Sequence, residues 1–116
     1  MAAYKVGAEA GRALCQHQVG MMYCKGRGVA VDYQQARLWI EKAAAQDQPN
    51  AVCELGVIYK RGNGVTPSWR RARELYQRAI ELGNSMAVEN MQILTKDIQK
   101  VSYTSRLFHH LPYRES

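Results

Sequence analysis

Val19-Gly20-Met21-Met22-Tyr23-Cys24-Lys25-Gly26-Arg27-Gly28-Val29 is answered 36 residues later by Leu55-Gly56-Val57-Ile58-Tyr59-Lys60-Arg61-Gly62-Asn63-Gly64-Val65. Glycines, tyrosine and valine fall in register. The match continues outward, with Ala36 on Ala72, Arg37 on Arg73 and Ala43 on Ala79. A fixed period between about 20 and 50 residues is the mark of a solenoid built from stacked supersecondary units.

The spacing inside each unit is helical. Cys15, Val19, Met22 and Tyr23 stand at i, i+4, i+7 and i+8, as do Ala51, Leu55, Ile58 and Tyr59, which places them on one face of a helix. The pattern predicts a first helix (A) over about 13–25 and 49–61, each stopped by a glycine, Gly26 or Gly62, fit for the left-handed position after a helix. A short loop follows, whose Val29 or Val65 is expected to tuck inward. Asp32 and Ser68 are natural N-caps for a second helix (B) over about 33–46 and 69–82, and Asp32 with Gln35 reads as a capping box. Ala36, Trp39, Ile40 and Ala43 form the inward face of the first B helix, and Ala72, Leu75, Tyr76 and Ala79 that of the second. Gly83 ends the second B helix, and Asp47 holds the matching place in the first.

The single domain expected over 1–116 divides into repeat 1 at about 13–48, repeat 2 at about 49–84, a partial third unit with a cap at about 85–108, and a tail over 109–116. Lys5 to Gly11 reads as the end of an earlier B helix. A third A helix begins near 86 with Ala87, Val88, Met91 and Leu94. There Thr95, Ile98 and Lys100 replace the tyrosine and glycines, so nothing stops the helix. Such an atypical end unit hides the last apolar face of a solenoid. In the tail, Leu107, Phe108 and Tyr113 either pack back or leave the segment mobile.

The full motif runs Cys15, Val19, Gly20, Tyr23, Gly26, Gly28, Val29, Asp32, Ala36, Ala43, and again Ala51, Leu55, Gly56, Tyr59, Gly62, Gly64, Val65, Ser68, Ala72, Ala79. It resembles the Sel1-like repeat, a relative of the tetratricopeptide repeat, over about residues 4–95. Val19 for the usual leucine, Ser68 for the usual aspartate and the eroded third unit are departures that fit an array end. The resemblance implies an all-α right-handed superhelix, a role as an adaptor that binds other proteins, and no shared catalytic residues. The helix-bridging cysteine pairs of secreted family members are missing, which argues against an extracellular placement.

Composition agrees. The 116 residues carry a net charge of +6, with 47% hydrophobic and 22% charged residues, a globular balance rather than a disordered one. Polar residues interrupt every apolar run before the ~18 residues of a membrane helix are reached, so membrane insertion is not expected. Met1 to Arg12 has no apolar stretch like that of a secretory signal. Three cysteines without C-x-x-C spacing speak against a disulfide framework or zinc site and for a reducing, cytoplasmic compartment.

Candidate chemistry is sparse. Gly26-Arg27-Gly28 and Gly62-Asn63-Gly64 lack the lysine and spacing of a phosphate loop. Cys15 and Cys53 have no repeated partner, with His17 near only by sequence, so an enzyme using a cysteine nucleophile is the weakest reading. Glu54 and Glu89 share a helix side but make no acid–base pair. His109 and His110 alone do not supply a metal site, and no cofactor is expected. Mid-helix Gly20 and Gly56 each cost about 1 kcal/mol against alanine, which close approach of helices A and B would offset.

The groove side of the A helices carries the functional expectation. The period groups its positions into rows: His17, Cys53, Glu89; Gln18, Glu54, Asn90; Met21, Val57, Ile93; and Cys24, Lys60, Lys96, beside Lys25 and Arg61. The third row is apolar although it lies outside the core pattern. The candidate partner-binding residues are therefore His17, Gln18, Met21, Lys25, Cys53, Glu54, Val57, Lys60, Arg61, Asn90, Ile93 and Lys96. An apolar stripe beside basic residues suits a protein or peptide partner with acidic residues. The basic run Lys60, Arg61, Arg70, Arg71, Arg73 and Arg78, with Trp69 as a stacking platform, keeps a nucleic-acid-binding module as the alternative. Within that run, Glu74–Arg78 is expected as an i, i+4 pair. Open repeat ends leave self-association as a further expectation.

Overall fold

The computed structural model describes residues 2–109, with side chains over 3–102. Leu107, Phe108, Tyr113 and the histidine pair of the tail lie outside the described side chains. Six helices follow in order: α1 (Ala2–Glu9), α2 (Ala13–Lys25), α3 (Tyr33–Ala44), α4 (Pro49–Arg61), α5 (Trp69–Glu81) and α6 (Ser85–His109). No strand occurs among the described residues. Each helix packs on the next in sequence, the nearest-neighbour packing that defines a solenoid. The radius of gyration is 17.3 Å, against about 13 Å for a compact chain of this length. The molecule is an elongated all-α helical-repeat solenoid.

The repeated signals act as the sequence predicts. Gly26 and Gly62 end α2 and α4 at φ of 70° and 75°. Their N–H groups reach back to the carbonyls of Met22 and Ile58, satisfying orphan acceptors of the last turn. Asp32 and Ser68 cap α3 and α5, accepting from the N–H of Gln35 and Arg71 at 3.1 Å each. The capping box at Asp32 is only half formed. Its own N–H donates to the Tyr23 carbonyl at 3.0 Å, as that of Ser68 does to Tyr59 at 2.8 Å, so the loop is tied to helix A rather than to the Gln35 side chain. Pro49 opens α4 at the helix start, where a missing N–H costs nothing, and the Gln48 side chain accepts from the N–H of Ala51 at 2.8 Å.

The core runs through the centre of the stack. Ile40, Ala43, Val52, Leu55, Ile58, Ala72, Tyr76, Ala79, Ala87 and Leu94 are all buried. Alanines alternate with larger residues, so the helices approach closely. Trp39, expected inward, is only half-buried, with the Lys42 ammonium 4.5 Å above its ring. The loop valines Val29 and Val65 are half-buried, and Val65 packs against the core.

One ion pair differs from expectation. Arg78 does not pair with Glu74. It reaches across the repeat boundary to the Asp47 carboxylate and the Ala44 carbonyl. Asp47 takes a left-handed backbone, φ 59°, which turns its side chain toward the next repeat. Glu74 instead lies near Arg70 and Arg71, at 3.9 and 3.6 Å. The cause is geometric: Arg78 meets the C-terminal end of α3 and the loop after it across the repeat boundary, and a turn's spacing along one helix does not register such a partner.

Candidate functional groove

The three A helices, α2, α4 and α6, line one side of the stack. Between them runs a groove whose floor is α4. One wall is α2, contributing His17, Met21, Cys24 and Lys25. The opposite wall is α6, contributing Met86, Asn90 and Ile93. Three cavities lie along it, of about 220, 320 and 140 Å³. They share residues end to end: Met21, Glu54 and Met86 border the first two, and Val57, Arg61 and Asn90 the second and third. Asn50 at the start of α4 borders the first cavity and Arg61 at its end borders the third. That is about 16 Å of helix at 1.5 Å per residue.

Asparagines fasten the groove. Asn84 accepts from the N–H of Ala87 at 2.9 Å, capping α6, and donates to the Asn50 side-chain oxygen at 2.7 Å. Asn90 donates to the Cys53 sulfur at 3.3 Å. At the other end the Lys60 ammonium contacts the Asp97 carboxylate at 2.8 Å. These contacts hold α6 against α4.

Apolar and charged groups alternate along the groove. Met86 is 64% exposed and Ile93 45% exposed, facing half-buried Met21 and Val57. Glu54 lies between the first two cavities. Burial pushes its carboxyl above the ordinary range, and the Lys25 and Arg61 charges oppose that rise without cancelling it. Glu54 makes no hydrogen bond or ion pair among the described residues. Lys25 and Arg61 are exposed at the rim, and neither makes an ion pair among the described residues. His17 is held below its ordinary pKa by burial and by the Lys25 charge, and its Nε2 is enclosed without a hydrogen-bond partner.

The structure brings together ten of the twelve candidate residues: His17, Met21, Lys25, Cys53, Glu54, Val57, Lys60, Arg61, Asn90 and Ile93 border the three cavities. Gln18 and Lys96 are exposed outside them, as is Glu89. Lys60 is at the groove but engaged by Asp97. Met86, Asn63 and Tyr33 complete the lining of the 320 Å³ cavity and were not anticipated. Tyr33 is brought there because the loop of the second repeat docks on the start of α3, where the Gln34 amide donates to the Gly64 carbonyl at 3.3 Å.

The Cys53 and Cys24 thiols are not activated. Burial raises both Cys53 and Cys24, and the neighbouring Glu54 charge adds to each; only part of this is offset, for Cys53 by the Asn90 hydrogen bond and for Cys24 by Lys25 and Arg61. A nucleophilic cysteine needs the opposite shift. No cluster of metal-ligating side chains occurs among the described residues. The arginines on α5 are partly engaged too: Arg71 lies 5.6 Å over the Tyr59 ring, and Trp69, the suggested stacking platform, packs against the core.

The Sel1 repeat family model matches residues 13–48 and 49–84. The chain belongs to the Sel1 repeat family. Among solved structures it is similar to a Sel1 repeat protein from Oxalobacter formigenes, with 36% identity and a TM-score of 0.74 over 77% of this chain and 67% of that one. It is also similar to c5321, a protective antigen of uropathogenic Escherichia coli with the same repeat fold, at 34% identity and a TM-score of 0.70. That match covers 72% of this chain and 18% of the antigen. No curated protein sequence matches significantly. Sel1 repeat proteins generally mediate protein–protein interaction and act as noncatalytic scaffolds. No helix among the described residues is long and apolar enough to cross a membrane.

Proposed function

We propose that this Sel1 repeat chain is a noncatalytic adaptor that holds a protein partner in the groove between α2, α4 and α6. One observation carries the reading: Met21, Val57, Met86 and Ile93 line a preformed groove, partly exposed, beside Lys25 and Arg61, whose charges act on Glu54 but which make no ion pair among the described residues. Exposed apolar side chains arrayed in a concavity with a polar rim have the composition of a binding surface. The excess of positive charge favours an acidic partner through steering and complementarity. Three free cysteines accord with a reducing compartment, and we place the chain in the cytoplasm.

The test is affinity capture with wild type beside a Met21→Glu, Val57→Glu, Ile93→Glu variant whose helical circular dichroism and melting cooperativity are checked first. Partners retained by wild type and lost by the folded variant support the groove. An unchanged partner set rejects it.

A further inference from the structure

We infer that the groove reads a short extended peptide with an apolar side chain two residues from a carboxylate, a specificity that rests on the groove being the binding site.

The spacing of the two walls carries this. Met21 and Lys25 are one turn apart on α2, and Val57 and Arg61 are one turn apart on α4. Four residues of helix advance about 6 Å. Two residues of an extended chain advance about 6.6 Å and return the side chain to the same face. An apolar side chain seated between Met21, Val57 and Met86 therefore places the side chain two residues on beside Lys25 and Arg61. There a carboxylate meets two cations that make no ion pair among the described residues.

An unused acceptor in the groove favours an extended occupant over a helical one, whose own N–H groups are already bonded. An extended segment brings unpaired backbone N–H groups, which must find acceptors as they leave water. Glu54 supplies one. It is a half-buried carboxylate without a hydrogen bond among the described residues, set less than a turn before Val57. A donated N–H there stabilises its charged form. Glu54 also repels an acidic side chain at the anchor end, which fixes the order of the two side chains along the groove.

The experiment is a positional-scanning heptapeptide library presented to the folded full chain. Wild type should enrich Leu, Ile, Met or Phe at one place and Asp or Glu two places away. In the best peptide, changing that acid to its amide should weaken binding by about fivefold, the range of an exposed charge pair. A Lys25→Glu, Arg61→Glu variant alters only exposed side chains and should exchange the acidic preference for a basic one. Peptides lost by Val57→Glu but showing no acidic preference would overturn this specificity and leave the groove standing. Peptides indifferent to Val57→Glu would reject the groove and the specificity together. No enrichment over the heat-denatured chain overturns the claim that a short segment suffices. Displacement of every peptide by a uridine oligonucleotide with a steep salt dependence would assign the cations to nucleic acid instead.

Discussion

Gly56 faces the ring of Tyr76 so closely that a β-carbon on the glycine would lie 2.6 Å from Cε1 and 2.7 Å from Cδ1. Tyr76 is 1% exposed, and burial pushes its phenol up to about 12. The ring packs in the core, with Gly56 directly against it. Gly20 stands in the same relation to Ile40. Each glycine thus gives up about 1 kcal/mol of helix propensity to let helices A and B meet. Gly56→Leu should destabilise by more than about 2 kcal/mol, at the upper end of overpacking, and Gly56→Ala by less. In a Tyr76→Leu background the Gly56→Ala cost should shrink, because the clashing ring is gone. A denaturation midpoint for Gly56→Leu equal to wild type would refute the packing argument.

Asp47 and Arg78 make a second test of how the repeats are joined. Asp47 adopts a left-handed backbone that costs an ordinary residue about 1–2 kcal/mol, and its carboxylate engages Arg78 of the next repeat. Asp47→Ala keeps the backbone demand and removes the pair, so it should lose up to about 1 kcal/mol, the worth of an exposed ion pair. Asp47→Gly removes both, and should stay within about 0.5 kcal/mol of wild type. Urea denaturation of the two variants checks the order; equal losses would show that the backbone conformation has no energetic consequence.

The residues that repeat were legible in the sequence, and those that act between repeats were not. Gly62, Ser68 and Gly56 each work within one helix pair, where period and spacing specify the neighbour. Four residues make one turn, which sets Arg78 against Glu74 along α5, yet its partner lies 31 residues away. Gln18 and Lys96 fell into the groove rows by register alone. The rows were drawn across the A helices, whereas the cavities run along α4, so a position one residue off the inner face leaves the lining. Met86 and Tyr33 come from a helix start and from the head of a B helix, places that a periodic face does not mark.

The Lys60–Asp97 contact joins stability to binding. Asp97 is held below the usual carboxylate range by the Lys60 hydrogen bond, with the charges of Lys60 and Lys100 adding to it. Its folded pKa lies below the unfolded one, so its stabilising contribution is present above the unfolded value and lost as pH falls through the folded value. Asp97→Asn should melt lower than wild type at neutral pH, and the gap should close in strong acid. The same substitution frees the Lys60 ammonium at the groove. It should therefore tighten binding of an acidic heptapeptide while weakening the fold, an opposition measurable by anisotropy and thermal melts on one sample. Weaker binding in step with lower stability would show that Lys60 contributes only through structure.

Glu54 and His17 face the same groove and titrate with opposite consequences. Burial raises the Glu54 pKa, so its folded value exceeds its unfolded one. The charged carboxylate then costs stability above the folded value, and that cost is relieved as pH falls toward the unfolded value. Burial lowers the His17 pKa, so its contribution is full above the ordinary histidine value and is lost as pH falls through the folded one. The two slopes oppose each other in mildly acidic solution, and the same Lys25 charge depresses both groups. Glu54→Gln should raise the melting temperature at neutral pH, with the gain fading toward acid. His17→Gln should change little at pH above the histidine range and become relatively more stable than wild type below it. Lys25→Gln should lift both pKa values, which would move the mid-acid features of the wild-type stability curve upward in pH. Melting profiles of the three variants across the acid range decide the matter: a Glu54→Gln gain that persists undiminished into acid would mean that the carboxylate's charge is not what burial opposes.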